Sequence, residues 1–150
     1  MAKLTADAQA KNNIFLKLRH SLYVAKLAKK LAKKLNLDPI LAYNIGLLHD
    51  IARFEQYTKF QTFSDIKSFD HGTRGTEILF DENLIEKFKI DSKFYSIIKP
   101  AIFFHNKKHL TKKLLSEYLT SQNITHSLEE IYLYCNLIRD ADKIDILRVV

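Results

Sequence analysis

The sequence predicts an all-α fold, because it offers few turn residues and its apolar residues recur at helical spacing. Only 3 Gly and 2 Pro occur in 150 residues, and 47% of the chain is hydrophobic. This composition favours long helices over many short strands. Helix starts are marked by the caps Asp38, Asp70, Asp91 and Ser127, the first followed by Pro39 at the first helical position. With no linker rich in Gly, Pro or Ser, residues 1–150 are predicted to form one domain with a real core.

The caps and the apolar spacing predict the helices in order. The predicted ranges are 6–17, 19–35, 39–51, 70–80, 92–105, 110–120 and 127–145. Helices 39–51 and 127–145 are apolar on several faces and are therefore expected at the centre of the fold. Residues 54–69 are aromatic and polar without clear periodicity and are predicted to be a long loop. Its rings either pack the loop down, which we favour, or contact a substrate base.

Charge and targeting signals narrow the functional classes. The net charge of +7 and the pI near 9.4 favour anionic partners. Much of the excess lies on one helical face, at Lys26, Lys29, Lys30, Lys33 and Lys34. We interpret that face as solvated, because no aromatic residue interleaves it as a platform for stacked bases would require. The interpretation that this is a basic protein that binds nucleic acid would therefore rest on charge alone.

The remaining compositional signals concern the compartment. The single Cys135 cannot form an internal disulfide, which fits a reducing cytoplasm. The first 11 residues lack the apolar segment of a signal peptide, and no apolar run is long enough to span a bilayer. A cytoplasmic protein is therefore expected. The apolar, uncapped end at Val150 suggests that a natural C-terminal piece is missing.

A metal site is predicted where the apolar segment 40–48 runs into His49 and Asp50. An imidazole and a carboxylate at the end of a buried segment are costly to desolvate unless something binds them, and a divalent metal is a common partner. Further candidates lie on or beside apolar helices, at His20, His71, His105 and one of the aspartates of the 140–143 segment. Nitrogen and oxygen ligands without thiolate suit manganese, iron, nickel or zinc.

The order of these residues resembles the HD superfamily of metal-dependent phosphohydrolases. The family pattern of a His, a His-Asp pair and an Asp in an Ala-Asp-Lys setting is matched by His20, His49-Asp50 and Ala141-Asp142-Lys143. The resemblance covers residues 19–145 and implies an all-helical bundle that binds a metal through His20, His49, Asp50 and Asp142. It also implies hydrolysis of a phosphoester or phosphoanhydride. Helical geometry alone leaves Asp140 open as a ligand, and the Ala-Asp-Lys setting favours Asp142.

Two further histidines resemble the extra ligands of the two-metal subfamilies. His71 and His105 occupy those positions in the order of the chain, and Asp50 would then bridge two ions. The alternative is that both histidines line a one-metal pocket and bind substrate phosphate. Asn106 stands where the cyclic-dinucleotide phosphodiesterase branch has a second His, which counts against that substrate class.

Catalytic roles are also implied by the resemblance. Arg53 replaces a phosphate-binding Lys found in some members, although Ala52 departs from their Gly. Asp50 would act at the metal, Arg53 would clamp a phosphate, and Glu55 or Asp140 could relay protons. For Arg53 and Glu55, a surface ion pair is the competing interpretation.

The function implied is that of a phosphohydrolase using one or two divalent ions on a small phosphorylated substrate of nucleotide type. Neither nucleic acid nor a membrane is expected as a partner. The alternative is a non-catalytic helical module that keeps a metal, or only the fold, to sense nucleotides or bind a partner protein. Retention of every ligand position favours the enzyme, because a scaffold does not need six desolvated polar groups.

Overall fold

The computed structural model describes residues 5–120 and 122–149, and over these residues it contains helices and no strand. The all-α prediction is confirmed. Besides α-helices, the structure has a π-helical turn, Glu77–Asp81, and two 3₁₀ turns, Leu84–Phe88 and Ser92–Phe94. The α-helices are α1 (Ala6–Lys34), α2 (Pro39–Leu48), α3 (Ala52–Phe60), α4 (His71–Thr76), α5 (Tyr95–Phe104), α6 (Lys112–Leu119) and α7 (Leu128–Val149).

The predicted caps form local hydrogen bonds that explain where several helices begin. Asp38 accepts from two backbone N–H groups of the first turn of α2, at 2.9 and 3.2 Å. Asp70 accepts from the N–H of the third residue after it at 2.9 Å, and Ser127 does the same at 3.2 Å. These bonds satisfy donors that have no partner within the helix, so they fix the first turn.

Several predicted boundaries were wrong. α1 is one continuous helix through residue 18, because no Gly, Pro or capping residue interrupts it there. α2 ends at Leu48, three residues earlier than expected. Much of the predicted 54–69 loop belongs to α3, whose buried positions carry Ala52 and Gln56 instead of large apolar side chains, so its helical period was hidden. The chain leaves α3 at Gln61 with a φ of 53°, in the left-handed region.

The core lies between α1, α2, α5 and α7. α1 and α2 pack closely at Gly46, where an added Cβ would lie 2.6 Å from the Cα of Ala25. α7 buries Ile131, Leu137 and Ile138, but other apolar residues of this helix, Leu133, Ile144 and Ile146, are 41–49% accessible. α7 is therefore central on one side only.

Two surface features complete the fold. The five lysines of the α1 face (Lys26, Lys29, Lys30, Lys33 and Lys34) are all exposed to solvent. Within the part of the chain that the structure describes, we find no helix with both the length and the apolarity needed to cross a bilayer.

Candidate metal centre

Six side chains from five parts of the fold converge in one cluster. His20 projects from α1, His49 and Asp50 lie in the turn between α2 and α3, and His71 opens α4. His105 follows α5, and Asp142 lies on α7. The early end of α2 matters here, because adjacent residues in a regular helix diverge by about 100°. The turn at residues 49–51 instead lets His49 and Asp50 face the same cluster.

Asp50 lies between two pairs of histidines. Its Oδ2 is 3.6 Å from His20 Nε2 and 3.7 Å from His49 Nε2. Its Oδ1 is 3.4 Å from both His71 Nε2 and His105 Nε2. Each carboxylate oxygen therefore faces a different pair, and the Asp50 side chain is only 4% exposed.

Two of the four histidines are oriented by backbone carbonyls at helix ends. His49 Nδ1 lies 2.6 Å from the carbonyl oxygen of Gly46, and His105 Nδ1 lies 2.6 Å from that of Ile102. A carbonyl oxygen can only accept, so each Nδ1 carries the proton and donates it. The lone pair of each ring therefore lies on Nε2, the atom that faces the cluster.

The other two histidines are oriented by carboxylates. His20 Nδ1 is 2.7 Å from Asp145 Oδ2, and His71 Nδ1 is 2.7 Å from Asp65 Oδ2. An ionised carboxylate also accepts only, so the same tautomer follows. Such outer acceptors fix the ring and raise the basicity of the nitrogen that would bind a metal.

The paired Nε2 atoms face one another at distances that suit a shared cation. His20 Nε2 is 3.3 Å from His49 Nε2, and His71 Nε2 is 3.0 Å from His105 Nε2. Two nitrogens with opposed lone pairs repel unless a proton or a cation lies between them. Two ligands bound to one first-row cation stand about 3.0–3.4 Å apart, given metal–nitrogen bonds of about 2.0–2.1 Å. The donor set therefore fits a divalent metal ion.

A family model of the HD domain matches residues 18–147. The chain belongs to the HD domain family. This places it in the superfamily of metal-dependent phosphohydrolases, as the order of its His and Asp residues predicted. No solved structure matches the chain.

Curated relatives of this HD domain include several proteins named ribonuclease Y. That of Clostridium botulinum strain Hall is 32% identical over 72 residues, 48% of this chain and 11% of the relative. That of Alkaliphilus metalliredigens is 36% identical over 72 residues, 48% of this chain and 12% of the relative. That of Clostridium novyi is 35% identical over 89 residues, 59% of this chain and 14% of the relative. The similarity thus spans less than a sixth of each relative's length.

The electrostatics of the HD domain cluster favour anionic carboxylates. Burial alone would raise the pKa of Asp50, but the neighbouring imidazoles of His49 and His105 hold it well below its usual value. The pKa of Asp142 is likewise lowered, despite its burial, by the adjacent imidazoles of His20 and His49. Both carboxylates are therefore ionised at neutral pH, the state in which they bind cations.

The two histidine pairs differ in their titration. Burial and the adjacent His105 lower the pKa of His71 to about 4, so its ring is neutral at physiological pH. Burial would also lower the pKa of His49, but the carboxylates of Asp50 and Asp142 outweigh burial and raise it. The half of the cluster with Asp142 is thus the more attractive to a positive charge, whether proton or metal.

The geometry favours Asp142 over Asp140 as the aspartate of the cluster. Asp142 Oδ1 is 2.9 Å from His20 Nε2 and 3.5 Å from His49 Nε2. Asp140, only two residues away, is exposed to solvent.

Arg53, predicted to clamp a phosphate, and Glu55, predicted to relay protons, have other partners. Arg53 Nη1 donates to the carbonyl of Phe63 at 2.6 Å and to Asp65 at 3.0 Å, so it anchors the loop 61–70. Arg53 Nε is buried 3.7 Å from Asp50 Oδ1, without a hydrogen bond to any described residue. Glu55 binds Arg74 at 3.0 Å and Lys59 at 2.6 Å. Those contacts favour the ion-pair interpretation for Glu55.

Three residues of the site were not predicted. Lys17 Nζ lies 3.5 Å from Asp50 Oδ2 and forms an ion pair with that carboxylate. Lys17 is three residues before His20 on the same helix, a signal that the predicted break near residue 18 concealed. Asp145 is three residues after Asp142, which places both on one face of α7. Asp65 lies in a loop, where no periodicity could have indicated its role.

Proposed function

We propose that this HD domain hydrolyses a phosphoester or phosphoanhydride of a nucleotide-like substrate, using divalent metal bound by His20, His49, Asp50, His71, His105 and Asp142. The position of Asp50 carries the proposal. Its two oxygens face two pairs of histidine Nε2 atoms whose lone pairs oppose one another. A purely structural cluster has no need of four imidazoles held in the tautomer that presents a lone pair.

A bound divalent cation would lower the pKa of a water molecule and neutralise charge that develops on the phosphate oxygens. The chain's own groups would orient the substrate. The ammonium of Lys17, beside Asp50 Oδ2, is placed to attract a phosphate oxygen. The unpaired N–H of Arg53, beside Asp50 Oδ1, offers a second donor while the rest of that side chain holds the loop.

Two ions are the arrangement that we favour. His20 and His49 face Asp50 Oδ2 and both lie against Asp142, while His71 and His105 face Asp50 Oδ1. In this proposal Asp50 bridges the two positions. The half with His71 and His105 has fewer protein ligands, so it should bind its ion more weakly.

Nucleic acid belongs among the candidate substrates. The expectation against it rested on the solvated lysine face of α1, and it finds no support in relatives that are named as ribonucleases. Because the shared region is a small part of those proteins, we propose only that the substrate is phosphorylated and of nucleotide chemistry. The substrate panel described below distinguishes free nucleotides from RNA ends.

Metal analysis followed by a substrate panel tests the proposal. The purified protein should contain manganese, iron, nickel or zinc by mass spectrometry, and it should release phosphate or cleave phosphodiesters in a panel of nucleotides and short RNAs. A chelator should abolish the activity, and the added metal should restore it. Stoichiometric metal without turnover of any substrate in the panel would instead favour the non-catalytic module.

A further inference from the structure

A cavity of about 550 Å³ opens beside the metal centre, between α1, the loop after α3 and the end of α7. His20 and Asp145, which belong to the cluster or support it, also line this cavity. Its volume lies within the range of about 300–1,000 Å³ typical of small-molecule sites. A ligand in the cavity would therefore lie beside the metal centre.

The charged groups of the cavity are predominantly cationic. Lys17, Arg19 and Arg148 line it, and Asp145 is the single carboxylate among the lining residues. That carboxylate is already engaged, with one oxygen 2.7 Å from His20 Nδ1 and the other 2.9 Å from Arg148 Nε. The cavity therefore favours an anionic ligand.

The cations form two groups. Lys17 lies at the inner end, 3.5 Å from Asp50 Oδ2. Arg148 and Arg19 lie around the ring of Tyr23, with their guanidinium carbons 4.2 and 5.9 Å from its centre. One cation thus belongs to the metal centre and two lie against a separate aromatic residue. This arrangement suits a ligand with two anionic groups rather than one.

Aromatic and apolar side chains line the same cavity. Phe63 is fixed there, because Arg53 binds its carbonyl oxygen at 2.6 Å and Tyr57 packs against its ring at 4.9 Å. Leu16 and Ile146 also line the cavity, and each is 49% exposed. Apolar and aromatic surface beside cations is the combination that binds a planar base attached to phosphates.

We propose that this cavity binds one nucleoside unit that carries two phosphates. The inner phosphate reaches Lys17 and the metal centre, the base and sugar lie against Phe63 and Leu16, and the outer phosphate is bound by Arg19 and Arg148. The position of the inner phosphate rests on the proposed function. A nucleoside bisphosphate and the terminal nucleotide of a single-stranded oligonucleotide share this chemistry, and the experiment separates them.

Equilibrium binding to the full chain tests the proposal, both as purified and after chelator treatment. The probes are inorganic phosphate, adenosine 5′-monophosphate, adenosine 3′,5′-bisphosphate and a tetra-adenylate. The bisphosphate should bind at least about tenfold more tightly than the monophosphate, and Arg148→Gln should reduce that ratio to about threefold or less. Phe63→Leu should weaken the nucleotides about tenfold relative to inorganic phosphate, the scale of a lost stacking contact. Lys99→Gln, which removes a cation packed on Phe80 elsewhere, should leave both ratios unchanged.

Tighter binding of the tetra-adenylate than of the bisphosphate would assign the cavity to an oligonucleotide end, and equal or weaker binding would assign it to a free nucleotide. Ratios unchanged in both Arg148→Gln and Phe63→Leu, or altered equally in Lys99→Gln, would overturn the proposal. The metal content and turnover of the wild-type protein distinguish a failure of the nucleotide-cavity proposal from a failure of the proposed metal-dependent function. Turnover with unchanged ratios refutes only the nucleotide cavity, whereas altered ratios in a protein that binds no metal refute only the metal-dependent function.

Discussion

Replacing Asp65 with Ala should weaken the metal centre through a residue that is not itself a proposed ligand. The Asp65 carboxylate accepts from His71 Nδ1 at 2.7 Å, from Arg53 Nη1 at 3.0 Å and from Gln56 Nε2 at 2.9 Å. The Asp65 side chain is 30% exposed, so water can replace part of what is lost. Arg53 and Gln56 also keep other acceptors, in the carbonyl of Phe63 and the hydroxyl of Ser68.

The expected magnitude follows from these contacts. A hydrogen bond to a charged group contributes about 1.5–3 kcal/mol, and the remaining acceptors prevent full loss at every donor. We therefore expect the free energy of unfolding to fall by about 2–3 kcal/mol, which lowers the Tm of a chain of this size by about 4–12 °C. The affinity of the position beside His71 should fall about 10–100-fold, as is typical when the outer acceptor of a ligating histidine is lost.

Thermal unfolding of the metal-free protein and calorimetric titration with manganese measure the two effects separately. Asp145→Ala should weaken the other position, because Asp145 orients His20. The exposed Asp140, replaced by Ala, is the matched control and should behave as the wild type. An Asp65→Ala protein with wild-type Tm, manganese stoichiometry and affinity would refute the reasoning.

Three further predictions test the packing, the buried thiol and the choice of aspartate. Gly46→Ala should lower the free energy of unfolding by about 1–3 kcal/mol or more in denaturant titrations, because its Cβ would meet the α1 backbone at 2.6 Å. Gly75→Ala is the control, because its Cβ would meet only side-chain atoms at 3.2 Å or more, and it should lower the free energy of unfolding by less. Equal losses in the two variants would contradict this prediction. Burial raises the pKa of the Cys135 thiol to about 12, so a thiol reagent at pH 8 should react only as denaturant unfolds the chain, and rapid reaction of the native protein would contradict the packing. Asp142→Ala should lose metal that Asp140→Ala retains, by mass spectrometry, and the reverse result would move the ligand to Asp140.

Features that depend on local sequence were predicted well. The caps Asp38, Asp70 and Ser127 act through hydrogen bonds to residues two or three positions away, so their signal lies in the sequence itself. The all-α class followed from composition in the same way. The His and Asp residues of the cluster could be selected because polar groups beside apolar helical segments need a partner.

Features that depend on distant packing were missed. The sequence predicts a loop over most of α3, because the buried position of this helix is filled by Gln56, whose amide is bound by residues from the following loop. Asp65 lies next to His71 only after that loop folds over the site. The predicted break in α1 separated Lys17 from His20, although a continuous helix brings both to one face. Nothing in a single sequence reports these long-range contacts.

Anomalous scattering from crystals soaked in excess manganese would test the central claim most directly, because it locates bound metal without any assumption about activity. We expect two peaks, one on each side of Asp50, with the first bounded by His20, His49 and Asp142 and the second by His71 and His105. A single peak beside His20, with His71 and His105 turned away from it, would contradict the bridging role of Asp50. Crystals with no peak near Asp50 at excess manganese would contradict the metal centre itself.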